Sequence, residues 1–195
     1  MATNALKKIF VSRARISLFK LFFNQPQEAF YIREAVRLTG EEINSIRREM
    51  NNLVEAGLLQ KEHRGNRLFY FFNRDYPYYY ELLSIMGKAV GLGGEIIKNR
   101  SRLGGLRFVV FSTSFLDWDD TGSQVDFLIV GRVVLPEIGK LVVKEEKRRG
   151  REINYAVMDL KEFSLRKRNR DPFLLEILTR NPVIILGDRR GLGKI

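Results

Sequence analysis

Apolar residues recur at helical spacing through the first third of the chain, then at strand spacing, then in an alternation of the two. Ile16, Phe19, Phe22 and Phe23 are three and four apart, which places them on one face of a first helix that Asn24-Gln25-Pro26 ends. A second, short helix is expected over Ile32–Leu38, with Ala35 and Leu38 inward, stopping at Thr39-Gly40. Thr39-Gly40-Glu41-Glu42 fits a capping box that opens a third helix, in which Thr39 and Glu42 satisfy each other's free amides. Ile43, Ile46, Met50, Leu53 and Val54 form its apolar face, and Gly57 closes it. Two strand-like runs follow, Leu58–Glu62 and Leu68–Phe72, around the turn His63-Arg64-Gly65-Asn66-Arg67: a β-hairpin with a basic tip.

Asp75-Tyr76-Pro77 breaks the hairpin. Leu82, Leu83, Met86, Ala89, Val90, Ile96 and Ile97 then recur at helical spacing, as a connector helix loosened by Gly91, Gly93 and Gly94. Such a helix can pack against either flank or against a second copy of itself, while Tyr76 and Tyr78–Tyr80 can equally cover the base of the hairpin. Beyond a turn at Ser101–Gly105 the pattern gives strands at Leu106–Phe111 and Val125–Val130 joined by a polar loop, a helix at Pro136–Arg148 and a strand at Glu152–Met158. Helices at Leu160–Lys167 and Pro172–Thr179 and a strand at Val183–Leu186 complete it, with a Gly-rich tail expected to fray. The fold class expected is α+β in two domains, residues 1–75 and 105–195, with residues 76–104 as the connector and a mixed sheet in the second domain.

Composition narrows the chemistry. In 195 residues, 34 Lys and Arg face 23 Asp and Glu, a net charge of +11 that favours a polyanionic partner, nucleic acid first and an anionic membrane surface second. With no cysteine and a single histidine, His63, the sequence excludes disulfides, zinc-thiolate sites, cysteine nucleophiles and histidine metal clusters. The first residues lack a signal-peptide pattern, and no apolar run approaches the ~18 residues that span a bilayer. A cytoplasmic protein with no membrane partner is the expectation.

Two helices around a tight turn, the second exposing Asn44, Ser45, Arg47, Arg48, Asn51 and Asn52, have the layout of a helix-turn-helix, and those side chains pair with phosphates or base edges. With the Asn-Leu-Val-Glu-Ala-Gly-Leu-Leu ending of Ile46–Leu59 and the hairpin after it, Ala14–Asn73 resembles the winged helix-turn-helix transcription regulators. The resemblance implies that the third helix enters the major groove of double-stranded DNA and that the hairpin tip lies along the backbone or in the minor groove. Arg47, Arg48, Lys61, Arg64 and Arg67 would then hold phosphates, and Asn44, Ser45 and Asn51 would read bases. Glu41, beside that surface, would repel phosphate and has no role in this reading. His63 reads as a turn residue.

In the second domain the strand Leu106–Phe111 runs into Ser112-Thr113, and Gln124 and Asp126 precede the next apolar run, a layout that resembles the minimal nucleotidyltransferases of the polymerase-β-like superfamily. There a strand ends in Gly-Ser, and an Asp-x-Asp opens the next strand; here Ser112 holds the Gly position, Thr113 the Ser, Gln124 the first Asp and Asp126 the second, with matching loop length. Asp126–Gly131, Arg151–Tyr155 and Asp171–Leu174 match further segments. The family's two-metal chemistry needs carboxylates at both aspartate positions, and Gln124 supplies a neutral carbonyl instead. Ser112 adds a side chain where backbone would approach a phosphate. Alternation along Glu152–Val157 makes the third acidic ligand either Glu152 or absent. Asp126 therefore reads as a loop-capping residue or a vestige, although Asp117, Asp119 and Asp120 could supply a substitute ligand for weak Mg²⁺ or nucleotide binding. No cofactor is expected.

The reading is a sequence-specific DNA-binding transcriptional regulator whose nucleotidyltransferase-like domain is not an enzyme and acts as sensor, dimerisation or accessory module. Its expected partners are DNA, a nucleotide or small-molecule effector and a second copy of the chain. The alternatives are an active or residual Mg-dependent nucleotidyltransferase, and an interaction adaptor of toxin–antitoxin type.

Overall fold

The computed structural model describes residues 8, 10–118, 125–179 and 181–192. The chain divides into two compact units, Met1–Val90 and Gly91–Ile195. Among the described residues no helix is long and apolar enough to cross a membrane.

In the first unit, α1 (Arg13–Asn24), α2 (Ile32–Thr39) and α3 (Ile43–Glu55) pack on one another, and β1 (Phe30–Tyr31), β2 (Leu59–Arg64) and β3 (Arg67–Phe72) form an antiparallel sheet of order β1-β3-β2. Ile16, Phe19, Phe22 and Phe23 of α1 are buried as their spacing requires. Phe22 and Phe23 meet Phe72 of the hairpin at ring-centroid distances of 5.4 and 4.6 Å, so apolar packing fixes the hairpin to the helices. Tyr79, at the start of α4 (Tyr79–Ala89), is buried against Phe23 and Phe72 and covers the base of the hairpin.

Local details depart from the sequence pattern. Leu38 is 49% exposed rather than inward, because the inward stripe of α2 runs through the buried Ala35 and the half-buried Ile32, Val36 and Thr39, leaving Leu38 to one side. Thr39 does not cap α3: it ends α2, and its Oγ1 donates to the Ala35 carbonyl at 2.6 Å. Glu42 is the cap, its carboxylate accepting from the Asn44 and Ser45 amides at 2.8 Å each. Those two backbone hydrogen bonds hold the Glu42 carboxyl below its ordinary pKa. The connector is two helices, because Val90 is extended and Gly91 is left-handed with φ +58°; α5 (Gly91–Lys98) belongs to the second unit.

The second unit is built on a mixed sheet of order β6-β5-β4-β7, from β4 (Gly104–Phe111), β5 (Phe127–Val133), β6 (Tyr155–Met158) and β7 (Val183–Leu186); only β5 and β6 pair in parallel. Helices α6 (Thr113–Asp117), α7 (Leu135–Arg149), α8 (Leu160–Arg168), α9 (Pro172–Thr179) and α10 (Arg189–Leu192) surround it. Phe108, Val110, Leu128 and Val130 lie on one face with Phe163, Leu174, Ile177 and Leu192. Phe111 and Phe127, on the other face, pack against Phe115 of α6. Burial on both faces explains why Phe108–Phe111 reads as an unbroken apolar run. Leu192 is buried, so the tail up to that residue is docked rather than frayed. The second strand begins at Phe127, after Asp126, and the third at Tyr155, after Glu152 and Asn154. The polar loop opens with the single turn of α6, and Asp119 and Asp120 lie outside the described residues.

Gly131 sits where the β4–β5 register shifts, opposite Leu106, with φ +135°; a Cβ there would lie 2.4 Å from the Gly105 carbonyl oxygen and 2.9 Å from the Arg107 nitrogen. Gly131→Ala is therefore expected to destabilise the second unit by about 2–4 kcal/mol, from backbone strain and overpacking together. Urea unfolding followed by Trp118 fluorescence checks this, and an unchanged midpoint would contradict it.

Candidate nucleic-acid interface and the Asp126 site

Burial of Ile46, Met50 and Leu53 turns the opposite face of α3 outward, where Asn44, Arg47, Arg48 and Asn51 are exposed and Ser45 is half-buried. Arg47 donates to the Asn44 carboxamide at 3.0 Å, and the Tyr70 hydroxyl of β3 lies 3.4 Å from Asn51 Oδ1. Arg48 faces a depression of about 570 Å³ between the start of α1 and α3, beside Arg13, Arg15 and Ser45.

Two glutamates fix this surface to α1. Glu41 accepts from Arg13 Nε at 3.0 Å and from Ser17 Oγ at 2.9 Å, so the acid that had no role in the sequence ties the turn to the first helix. Glu49, buried on the inner side of α3, accepts from Arg15 Nε at 2.8 Å. Burial pushes the Glu49 carboxyl up, but hydrogen bonds from Ser12 and Arg15 and the charges of Arg15 and Arg48 outweigh it and hold the group below its ordinary value. Neither arginine was expected at this site: the signal, two cations on the polar side of α1 in register with two acids, appears only once the helices are packed.

The hairpin turns through Gly65-Asn66, with Gly65 left-handed at φ +58°. Strands β2 and β3 extend to its tip, so Arg64 and Arg67 are direct cross-strand partners. Like charges placed opposite one another weaken a hairpin. Glu62 pairs with Arg64, the Arg64 guanidinium lies 5.2 Å from the Phe69 ring centroid, and that of Arg67 lies 4.7 Å from the Tyr31 ring. Lys61 and His63 are exposed on the same hairpin.

In the second unit, Ser112 caps α6 through its Oγ, which accepts from the Phe115 amide at 3.1 Å, and its own amide donates to the Asp126 carbonyl at 2.9 Å. Thr113 Oγ1 donates to the Asn181 carbonyl. Asp126 is buried, and both carboxylate oxygens are engaged: Oδ1 by Arg151 Nη2 at 2.8 Å, Oδ2 by Arg151 Nη1 at 3.1 Å and by the Asn154 amide at 2.8 Å. A bidentate guanidinium thus occupies the side of the carboxylate a cation would need. Glu152 is exposed beside the buried Ile153, in the segment leading into β6. Ser112 and Asp126 are brought together, whereas Gln124 lies outside the described residues.

Arg149 lies behind this site with its side chain 4% exposed, paired with the buried Glu145 at 2.7 Å, donating to the Phe115 carbonyl at 2.5 Å and stacked 3.9 Å from the Phe115 ring. Burial lowers its pKa to about 10 against the opposing pull of Glu145. Glu145 is itself pushed up by burial, but Arg148 and Arg149 more than offset this and leave it low. The basic run at the end of α7 is therefore partly internal structure. Comparison with protein-family models, curated proteins and solved structures finds no match. The site is read from its own geometry.

Glu49 has a depressed carboxyl in the folded chain, so it stabilises the first unit above its unfolded pKa and loses that contribution as pH falls through the folded value. As pH falls below the ordinary carboxylate pKa, the unaltered chain should lose stability more steeply than Glu49→Gln. Parallel slopes in pH-dependent urea melts would contradict the pairing. Asp126→Ala and Arg151→Ala should each destabilise the second unit by about 2 kcal/mol, and the double variant should cost at least about 1 kcal/mol less than their sum. Strict additivity would show that the two side chains do not interact.

Proposed function

We propose that the chain is a DNA-binding transcriptional regulator, in which the first unit is a winged helix-turn-helix and the second a nucleotidyltransferase-like domain without catalytic activity. The observation that carries this reading is the Asn and Arg face of α3 standing beside a hairpin that sets Arg64 directly opposite Arg67. Glu62 offsets Arg64 in the free chain, and a polyanion laid along the tip would neutralise both guanidiniums. Arg47, Arg48, Lys61, Arg64 and Arg67 take phosphates, and Asn44, Ser45 and Asn51 face base edges. Glu41 does not oppose this, because Arg13 and Ser17 occupy its carboxylate.

For the second unit, the supporting observation is the engagement of Asp126 by Arg151 and the Asn154 amide. In the nucleotidyltransferase pattern this carboxylate holds metal, and Gln124 stands where the other would be. Recruiting Asp126 to Mg²⁺ would require breaking a bidentate ion pair and leaving a guanidinium without its counter-charge. The domain serves instead as a sensor, dimerisation or accessory module.

Retention of a random-sequence duplex should weaken steeply with salt, and Arg48→Ala and Arg64→Ala should each flatten the log–log slope by about one. Absence of retention at low salt would overturn the first half of the proposal. Incubation with labelled Mg²⁺-ATP should leave protein and RNA unlabelled; label transfer that Asp126→Ala abolishes would overturn the second half.

A further inference from the structure

The positive charge is not concentrated in the first unit. Residues 1–90 hold 14 Lys and Arg against 9 Asp and Glu, and residues 91–195 hold 20 against 14, so the excess is five in one and six in the other. Contacts made by α3 and the hairpin leave the second excess without a role. Part of it is internal, since Arg149 and Arg151 pair with Glu145 and Asp126, and Arg148 pairs with Glu145 and lies 5.3 Å from the Trp118 ring. The rest includes a line of lysines on α7.

Ile138, Val142 and Glu145 define the buried stripe of α7. At 100° per residue, Lys140, Lys144 and Lys147 fall within one arc on the opposite side, and all three are exposed. Seven residues of helix span about 10 Å, so three cations stand in a row over that length. Lys140 pairs with Glu137, while neither Lys144 nor Lys147 has an acidic partner among the described residues. Like charges three and four apart destabilise a helix, and of these three lysines Lys140 is offset by Glu137. The same signature, cations set against one another at the surface, marks the hairpin tip.

We propose that the Lys140, Lys144 and Lys147 ridge is a second nucleic-acid contact, through which the C-terminal unit grips the sugar–phosphate backbone of the duplex held by the first; this rests on the DNA-binding reading above. The ridge presents ammonium groups with no planar fork and no amide for base edges, so it adds affinity and salt dependence without sequence preference. A membrane surface is the weaker occupant, because a helix that lies in a bilayer interface inserts its apolar face, and that of α7 is spent on the core of its own unit. Since the two units share one chain, binding by either raises the local concentration of phosphate at the other.

The experiment is a salt titration of the full chain with a random-sequence duplex, comparing the unaltered protein with the triple variant Lys140→Gln, Lys144→Gln and Lys147→Gln. A control, Lys88→Gln, Lys98→Gln and Lys161→Gln, removes the same net charge from exposed positions elsewhere. The ridge variant should bind with a log–log slope shallower by about two to three, whereas the control should stay close to the unaltered slope. Circular dichroism and melting should match for all three, because every substituted side chain is exposed. If the unaltered protein binds and the ridge variant has the same slope, or if ridge and control lose equally, the ridge is not a contact although the DNA reading stands. If the unaltered protein binds no duplex, both readings fall. Loss of binding to phosphatidylserine vesicles in the ridge variant, with duplex binding unchanged, would assign the ridge to membrane and overturn the proposal.

Discussion

A carboxylate taken out of water costs several kcal/mol unless a cation and hydrogen-bond donors go with it. Glu49, Asp126 and Glu145 are all buried, and each meets arginine: Arg15, Arg151, and the pair Arg148 and Arg149. Where these pairs sit decides what the rest of the molecule can do. Glu49 pins α3 to α1 from beneath and leaves the outer face of α3 to its asparagines and arginines. Asp126 joins the start of β5 to the approach to β6, through Arg151 and the Asn154 amide.

The chain carries 34 Lys and Arg against 23 Asp and Glu, and two of the places where the surplus cations collect set like charges beside one another. Arg64 faces Arg67 across the hairpin end, and Lys140, Lys144 and Lys147 line one side of α7. Structures tolerate such arrangements at a cost of a few tenths of a kcal/mol per pair. Under the proposed DNA-binding function, phosphate contact would convert each from a liability into a binding determinant.

Much of the fold was legible in the sequence because its cores are strongly patterned. The phenylalanine stripe of α1 and the apolar runs Phe108–Phe111 of β4 and Phe127–Val130 of β5 leave few alternatives for their burial. What the pattern missed depended on groups far apart in sequence. Thr39 fits a capping box, yet Glu42 supplies two acceptor oxygens by itself and releases Thr39 to end the preceding helix. Leu38 looked inward by residue type, but the stripe of α2 passes beside it. At the candidate sites, the exposed face of α3 followed from its buried one, whereas the arginine partners of Glu41, Glu49 and Asp126 lie 25 to 34 positions away and carry no local signal. Arg149 belongs by sequence to the basic run Lys147-Arg148-Arg149 and is a core residue.

The most direct test of the central claim is a map of backbone amide shifts in isotope-labelled protein as a short duplex is added at low salt. The expected result is that the largest changes fall on Asn44–Asn52 and Lys61–Arg67, with the amides around Asp126 and Asn154 unmoved when Mg²⁺ is then supplied. Shifts that avoid α3 and the hairpin, or a Mg²⁺ response centred on Asp126, would contradict it.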